Sequence, residues 1–195
     1  GVPWYDTVLE DNSPELYKAR DSRETIADHI LTDLNNAIAV EGLEDKKLNE
    51  ITKWTMLALK SRFCLFEGTF RKYHGIDGAE KFLKECVSAS EALMNSGKYT
   101  IDNGDGPTIA YRDLFAQPAN ATASNKEVIT AYAYNISLGI KHNTNYAITN
   151  ASGNQIGLSK ALMNSYLMKD GTRFTDKEGY ATMKFGEEFQ DRDPR

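Results

Sequence analysis

Residues 50–97 read EITKWTMLALKSRFCLFEGTFRKYHGIDGAEKFLKECVSASEALMNSG. Apolar side chains recur there every three or four positions, which is the period of a helix with one buried stripe. The pattern predicts a helix from about Glu50 to His74, capped by Asn49 and ended by Gly75. The predicted buried stripe consists of Met56, Leu59, Phe63, Phe66, Phe70 and Tyr73.

The same helix carries a second stripe, so we expect it to be covered on two sides and to be central to the fold. This stripe consists of Trp54, Leu57, Ser61, Leu65 and Gly68. A glycine costs helix stability relative to alanine. Gly68 therefore indicates that a neighbouring helix approaches closely at that point.

A third helix is predicted from about Ala79 to Asn95, with Gly97 as its stop signal. Its stripe is Phe82, Cys86, Ala89 and Leu93. Only about four residues separate it from the preceding helix, and connections that short join antiparallel neighbours. We expect the two helices to pack through Phe63, Phe66, Phe82 and Cys86.

An earlier amphipathic helix is predicted from about Ser22 to Val40, with Asp21 as N-cap and Glu24 three residues on. Residues 1–20 read as an extended lead-in. The fold class expected is all-α: tetratricopeptide-like helical hairpins with long irregular loops and at most a minor β element. The chain has no 34-residue self-similarity, so helix length alone supports the tetratricopeptide comparison.

Residues 98–195 have shorter predicted helices and longer predicted loops than residues 1–97. We treat 1–195 as a single unit with a helical hairpin region over 1–97 and a loop-rich region over 98–195. Tyr111, Leu114 and Phe115 suggest one helical turn, and Leu158 to Leu167 a short helix. Residues 127–134 alternate in a way that favours a short strand.

Bulk properties exclude several classes of protein. A net charge of −5 over 195 residues argues against nucleic-acid binding, which needs a basic face. No apolar run is long enough to span a membrane. No signal peptide is visible, so we take the chain to be a mature protein or an excerpt.

The residues that could act as nucleophiles, metal ligands or acid catalysts have simpler structural explanations. Cys64 and Cys86 fall on apolar faces, which favours buried free thiols over a disulfide between packed helices. The three histidines are too far apart in sequence to indicate a metal site, and we expect no cofactor. Glu67 is the most interesting carboxylate for glycoside hydrolysis, but a helix-surface pair with Arg71 at i+4 is the simpler interpretation.

The positive chemical signal is the combination of aromatic and amide side chains. Rings cover the apolar faces of sugars, and amides pair with their hydroxyls. A long loop carries both kinds: Tyr132, Tyr134, Asn135, Asn143, Asn145, Tyr146, Asn150, Asn154 and Gln155. We predict ligand contact at Tyr134, Asn143, Asn145, Tyr146 and Tyr180. The alternative is a solvated loop whose tyrosine edges reach the core.

Several segments, in order, resemble the SusD/RagB family of outer-membrane nutrient-binding lipoproteins. They are Gly1-Val2-Pro3-Trp4-Tyr5, Leu16-Tyr17 with Arg20-Asp21-Ser22-Arg23, Asp33-Leu34 with Ala37-Ile38, Ala58-Leu59-Lys60-Ser61-Arg62 with Leu65, Gly97 with Tyr99, Leu114-Phe115, Glu127-Val128-Ile129, Asp170-Gly171 and Arg192-Asp193-Pro194-Arg195. The stretch from Cys64 to His74 is also close to the family's style. The chain looks like a middle portion of such a protein.

This resemblance implies a helical scaffold that binds a glycan or oligosaccharide without chemistry. It implies delivery to a SusC-like TonB-dependent transporter at the outer-membrane surface, with the membrane reached only through a lipid anchor that this chain lacks. Two other functions stay open: a helical-repeat scaffold that binds only protein, and a carbohydrate-active enzyme. The resemblance transfers no binding residues, because these vary with the ligand in the family.

Overall fold

The computed structural model describes residues 2–43, 45, 47, 49–104, 106–117, 125–149 and 157–193. Within those ranges it contains six α-helices, which we number α1 to α6. They are α1 Arg23–Ile38, α2 Lys53–His74, α3 Ala79–Asn95, α4 Ala110–Ala116, α5 Thr144–Thr149 and α6 Lys160–Ser165. The described part has isolated β-bridges but no sheet, which confirms the all-α class.

The chain divides into two compact units. The first, called the helical unit, comprises Gly1–Thr100 and Lys126–Ala131 and holds α1, α2 and α3. The second, called the loop unit, comprises Ile101–Asn125 and Tyr132–Arg195 and holds α4, α5 and α6.

The caps of the first two helices lie one and three residues later than predicted. Ser22 accepts the amide proton of Thr25 and caps α1, whereas Thr52 accepts that of Thr55 and caps α2. Asp21 is not the cap because its carboxylate accepts the amide proton of Trp4 at 2.7 Å. That bond, with the ion pair to Lys18, lowers the pKa of Asp21.

The antiparallel hairpin of α2 and α3 is confirmed. Ser61 bonds Ser90 at 2.7 Å near one end, and Gly68 meets Leu83 towards the other. A Cβ added at Gly68 would lie 2.8 Å from the side chain of Leu83 and 3.1 Å from its backbone nitrogen. The glycine is therefore present because α3 approaches there. Gly75, with φ of 65°, ends α2 as expected.

The buried face of α2 is not the predicted aromatic stripe. Phe82, Cys64, Ala27 and Leu31 form the core cluster, with Phe63 and Cys86 packed against it. Phe66 remains 59% exposed, so its assignment to the helix interface was wrong. The face that packs is set by Gly68 and Cys64, whose small side chains admit the neighbouring helices.

Charged side chains occupy part of the buried face of α2, where the sequence had predicted aromatic rings. Glu67 is 1% exposed and accepts from Arg71 Nε at 2.9 Å and from Arg23 Nη2 at 2.6 Å. The Glu67–Arg71 pair is confirmed, but it is buried and not on the surface. Arg71 also donates to the carbonyl of Asp77 and covers the ring of Phe82 at 4.5 Å. The network therefore links α1, α2 and the start of α3.

Both thiols are free, in agreement with the sequence. Cys64 is buried and Cys86 half-buried in the same cluster. Burial raises the pKa of the Cys64 thiol to about 11, so this sulfur is held as an unreactive thiol near neutral pH.

The strand expected over residues 127–134 does not form. Ile129, Ala131 and Ala133 are half-buried while Thr130, Tyr132 and Tyr134 are exposed, so the alternation is real. An extended segment becomes a strand only when a neighbour supplies a ladder of hydrogen bonds. The described bridges lie elsewhere, at Asn135/Ile140, Leu167/Arg173 and Met168/Arg192.

Candidate functional site

An exposed aromatic group lies in the loop unit. Tyr132 and Tyr134 have ring centroids 5.0 Å apart, and the ring of His142 meets Tyr134 edge-on at 4.8 Å. We call these three residues the Tyr134 cluster. All three side chains are exposed, so their faces are available to a ligand.

A tight turn explains why Tyr134 meets His142. Asn135 and Ile140 exchange two backbone hydrogen bonds, of 2.9 and 3.0 Å, and Gly139 adopts a left-handed conformation between them. The Asn135 side chain accepts the amide proton of Leu138 inside the turn. The paired backbone brings the residues on either side of the turn together, so the cluster is positioned by hydrogen bonds and not by a hydrophobic core.

Three predicted contact residues follow immediately. His142 accepts the amide proton of Thr144 through Nδ1 as α5 begins, and the carbonyl of Asn143 accepts from Ala147. Asn143 and Asn145 are exposed, and Tyr146 on α5 is 65% exposed. The structure thus places Tyr134, Asn143, Asn145 and Tyr146 on one short stretch of chain that also carries His142.

Tyr180 belongs to a different aromatic group. Its ring meets the buried ring of Phe174 edge-on at 5.9 Å, and the Arg192 guanidinium covers Phe174 at 4.1 Å. Tyr180 is only half-exposed and packs in the small core of the loop unit. The remaining loop residues named from sequence, Asn150, Asn154 and Gln155, lie outside the described residues.

A separate open cavity of about 310 Å³ also lies in the loop unit. Its walls are Tyr111, Ser165, Tyr166, Leu167 and Asp193. The sequence analysis placed Tyr111 in a helical turn, Ser165 to Leu167 in a short helix and Asp193 in a family-like segment, but did not relate them to one another. No spacing rule joins residues so far apart in sequence, so only the folded chain reveals the cavity.

Five carboxyl groups of the described residues have a shifted pKa. Among the described carboxyl groups, those whose pKa departs from its ordinary value are all shifted downwards: Asp21, Glu24, Asp45, Glu80 and Asp170. For Asp170 the cause is hydrogen bonding from the hydroxyl and amide of Thr172. A glycosidase acid requires the opposite shift.

Within the described part of the chain, no three His, Cys, Asp or Glu side chains are grouped so as to hold a metal ion. Nor does any described helix have the length and apolarity needed to cross a bilayer. Comparison of the chain with protein-family models, with curated proteins and with solved structures finds no match.

Proposed function

We propose that this chain is a non-catalytic binding module for glycans or oligosaccharides. The observation that carries the proposal is the Tyr134 cluster, whose rings are exposed and whose His142 is followed directly in sequence by the exposed residues Asn143 and Asn145. The ordered resemblance to the SusD/RagB family supports the same function. It extends the proposal to a tetratricopeptide-like scaffold at the outer-membrane surface and to delivery of the glycan to a SusC-like TonB-dependent transporter.

The chemistry of the cluster suits a sugar. A pyranose presents C–H groups that favour an aromatic face, while its hydroxyls pair with amide groups. An aromatic contact contributes on the order of 1 kcal/mol, so useful affinity requires several rings and amides acting together. Tyr132, Tyr134 and Tyr146 with Asn143 and Asn145 supply that number of contacts.

The turn at Asn135 and Ile140 supports binding by reducing its entropic cost. A ring that already has neighbours at 5.0 and 4.8 Å loses less freedom when a ligand arrives than an isolated side chain does. The cluster therefore resembles a site arranged before the ligand binds.

The test is calorimetric titration of the protein with a panel of neutral oligosaccharides, comparing Tyr134→Ala and Tyr146→Ala with the original protein. Each substitution should weaken binding about fivefold, which is the equivalent of roughly one aromatic contact, and leave the melting temperature nearly unchanged. Tyr17→Ala is the matched control, because Tyr17 is 90% exposed and lies in the helical unit. Unaltered affinity in both variants would show that neither Tyr134 nor Tyr146 contacts the ligand.

A second candidate function is a helical-repeat scaffold for protein partners. It is favoured by the large apolar and aromatic side chains that α2 leaves exposed, namely Leu59, Leu65, Phe66 and Tyr73. Binding of an isolated transporter without any oligosaccharide binding would favour this candidate. Release of new reducing ends from the panel would instead indicate a carbohydrate-active enzyme.

A further inference from the structure

The longest of the described helices leaves a row of large side chains in solvent. Leu59, Phe66 and Tyr73 on α2 are each more than half exposed, and each lies seven residues from the next. Seven residues are close to two helical turns, so the three side chains form one continuous stripe along the helix. We call it the α2 stripe. Contiguous exposed apolar side chains of this size are typical of a surface that contacts another protein.

The charges beside the α2 stripe are positive. Glu67 is the one acidic residue of α2, and it is buried. Lys60 and Arg71 are also buried and are held in ion pairs. Arg62 and Lys72 are exposed, and neither forms an ion pair within the described part of the chain. A partner that covers the α2 stripe therefore meets apolar and aromatic side chains flanked by positive charge, in a protein whose net charge is −5.

A groove on the exposed side of α3 has the opposite charge. Its volume is about 410 Å³, and the described side chains that line it all come from α3. Leu83 and Val87 are its apolar lining. Glu80 and Lys84 neutralise one another in an ion pair of 2.7 Å, whereas Glu91 is exposed and has no ion pair among the described residues. This α3 groove is thus apolar with a net negative charge beside it.

The α2 stripe and the α3 groove complement one another. Phe66 and Tyr73 offer exposed rings, whereas the described lining of the α3 groove contains no ring that would obstruct them. Arg62 and Lys72 supply positive charge, and Glu91 supplies negative charge. Aromatic side chains and arginine are enriched at the centres of protein interfaces, and opposite charges across a contact favour the correct pairing. The stripe is therefore suited to a surface with the properties of the groove.

Both surfaces are exposed in the structure, so they do not cover each other within one chain. Two copies that met through the α2 stripe alone would bring Arg62 and Lys72 close to their own counterparts, and like charges repel. A contact between the stripe of one copy and the groove of the next avoids this repulsion. Such a contact uses different surfaces on the two copies, so it leaves a free groove at one end and a free stripe at the other.

We infer that this chain self-associates head to tail, with the α2 stripe of one copy lying in the α3 groove of the next. Helical-repeat proteins stack hairpins on their neighbours within one chain in a comparable way. The contact joins two single helix faces, which is a small interface, so we expect a dissociation constant on the order of 100 µM. The inference does not depend on glycan binding, because the Tyr134 cluster belongs to neither surface.

The experiment is sedimentation equilibrium of the original protein and two blocked variants over concentrations from about 10 µM to about 1 mM, which bracket the expected dissociation constant. The stripe-blocked variant carries Arg62→Gln and Phe66→Gln, and the groove-blocked variant carries Val87→Gln and Glu91→Gln. All four residues are exposed, so both variants should fold and melt close to the original protein. The average mass of the original protein should rise with concentration beyond that of a dimer, whereas each blocked variant alone should remain a monomer.

An equimolar mixture of the two blocked variants is the decisive sample. It should form dimers and nothing larger, because one intact stripe meets one intact groove and no further surface is left. Val40→Gln, at an exposed residue outside both surfaces, is the matched control and should associate like the original protein.

Three results would overturn the inference. A mass that levels off at the dimer and persists in one blocked variant would show a symmetric contact through a single surface. A mixture of blocked variants that remains monomeric would show that the stripe and the groove do not meet. An original protein that is still monomeric at about 1 mM would show that neither surface is used for self-association.

Discussion

The two units of this chain are stabilised in different ways. The helical unit has three helices of 16, 22 and 17 residues around buried side chains such as Phe82, Cys64 and Glu67. The helices of the loop unit have only six or seven residues, and among its described residues Phe174 is the one large apolar side chain that is fully buried. Turns and isolated bridges hold much of the rest.

This difference changes what an exposed aromatic residue means in each unit. In the helical unit, Phe66 is exposed because α2 turns a smaller and more polar face to its neighbours. In the loop unit, the Tyr134 cluster is exposed because a hydrogen-bonded turn presents it without using it as a core. The rings of the Tyr134 cluster are thus available for binding, and their removal should be tolerated better than removal of a core ring.

The largest effect expected is that of Phe82→Ala. Phe82 is fully buried, its ring centroid lies 6.1 Å from that of Phe63, and the Arg71 guanidinium covers its face. Its loss should therefore reduce the free energy of unfolding by about 3–5 kcal/mol. Phe66→Ala on α2 should cost less than about 1 kcal/mol, because that ring is mostly in solvent. Urea denaturation measures both. Equal losses of unfolding free energy in the two variants would show that Phe66 is buried, as the aromatic stripe predicted from sequence requires.

The next effect expected is that of Glu67→Gln. Removing the negative charge leaves the guanidinium of Arg71 buried without its counterion, which should cost about 3 kcal/mol. This is the lower end of the usual range, because Arg23 is partly exposed and can be rehydrated. Glu80→Gln removes an exposed i,i+4 pair with Lys84 and should leave stability almost unchanged. A Glu67 variant as stable as the Glu80 control would show that the buried network is not needed.

The sequence predicted the helical unit far better than the loop unit, and the reasons are physical. The bounds of α3 and the C-terminus of α2 follow from local periodicity and from Gly75, whose signals act over a few residues. The face that α2 buries depends on its partners, and the close approach at Gly68 outweighed the larger aromatic stripe. Local competition between acceptors also moved the α1 cap from Asp21 to Ser22.

The loop unit carries few long-range sequence signals. Tyr134, Asn143 and Tyr146 are near one another in sequence, so local composition was enough to propose them as ligand contacts. The Tyr111 and Tyr166 walls of the cavity come from segments more than fifty residues apart and share no periodic pattern. Nothing local in the sequence indicates that Tyr180 packs on Phe174, so the sequence does not separate it from the exposed tyrosines.

A smaller effect is expected from adding one methyl group in each unit. Gly68→Ala places a carbon 2.8 Å from Leu83 and 3.1 Å from its backbone, so overpacking should outweigh the gain in helix propensity. The net loss should be about 1–2 kcal/mol. Gly186→Ala in the loop unit meets nothing within 4 Å and should be neutral or stabilising by up to about 1 kcal/mol. Thermal denaturation of the two variants measures both effects. A Gly68→Ala variant more stable than the original protein would show that α3 does not approach α2 closely at this position.

The smallest effect separates core from surface within the loop unit itself. Tyr180→Ala removes the ring that packs edge-on against Phe174 and should lower the free energy of unfolding by about 1 kcal/mol. Tyr134→Ala should change it by less than about 0.5 kcal/mol, because that ring is exposed. Tyr180→Phe keeps the ring and serves as the matched control. Oligosaccharide titration of the same variants completes the test. Weaker binding by Tyr180→Ala at unchanged stability would show that Tyr180 contacts the ligand. Lost stability with unchanged affinity would assign its ring to the core around Phe174, leaving ligand contact to Tyr134, Asn143, Asn145 and Tyr146.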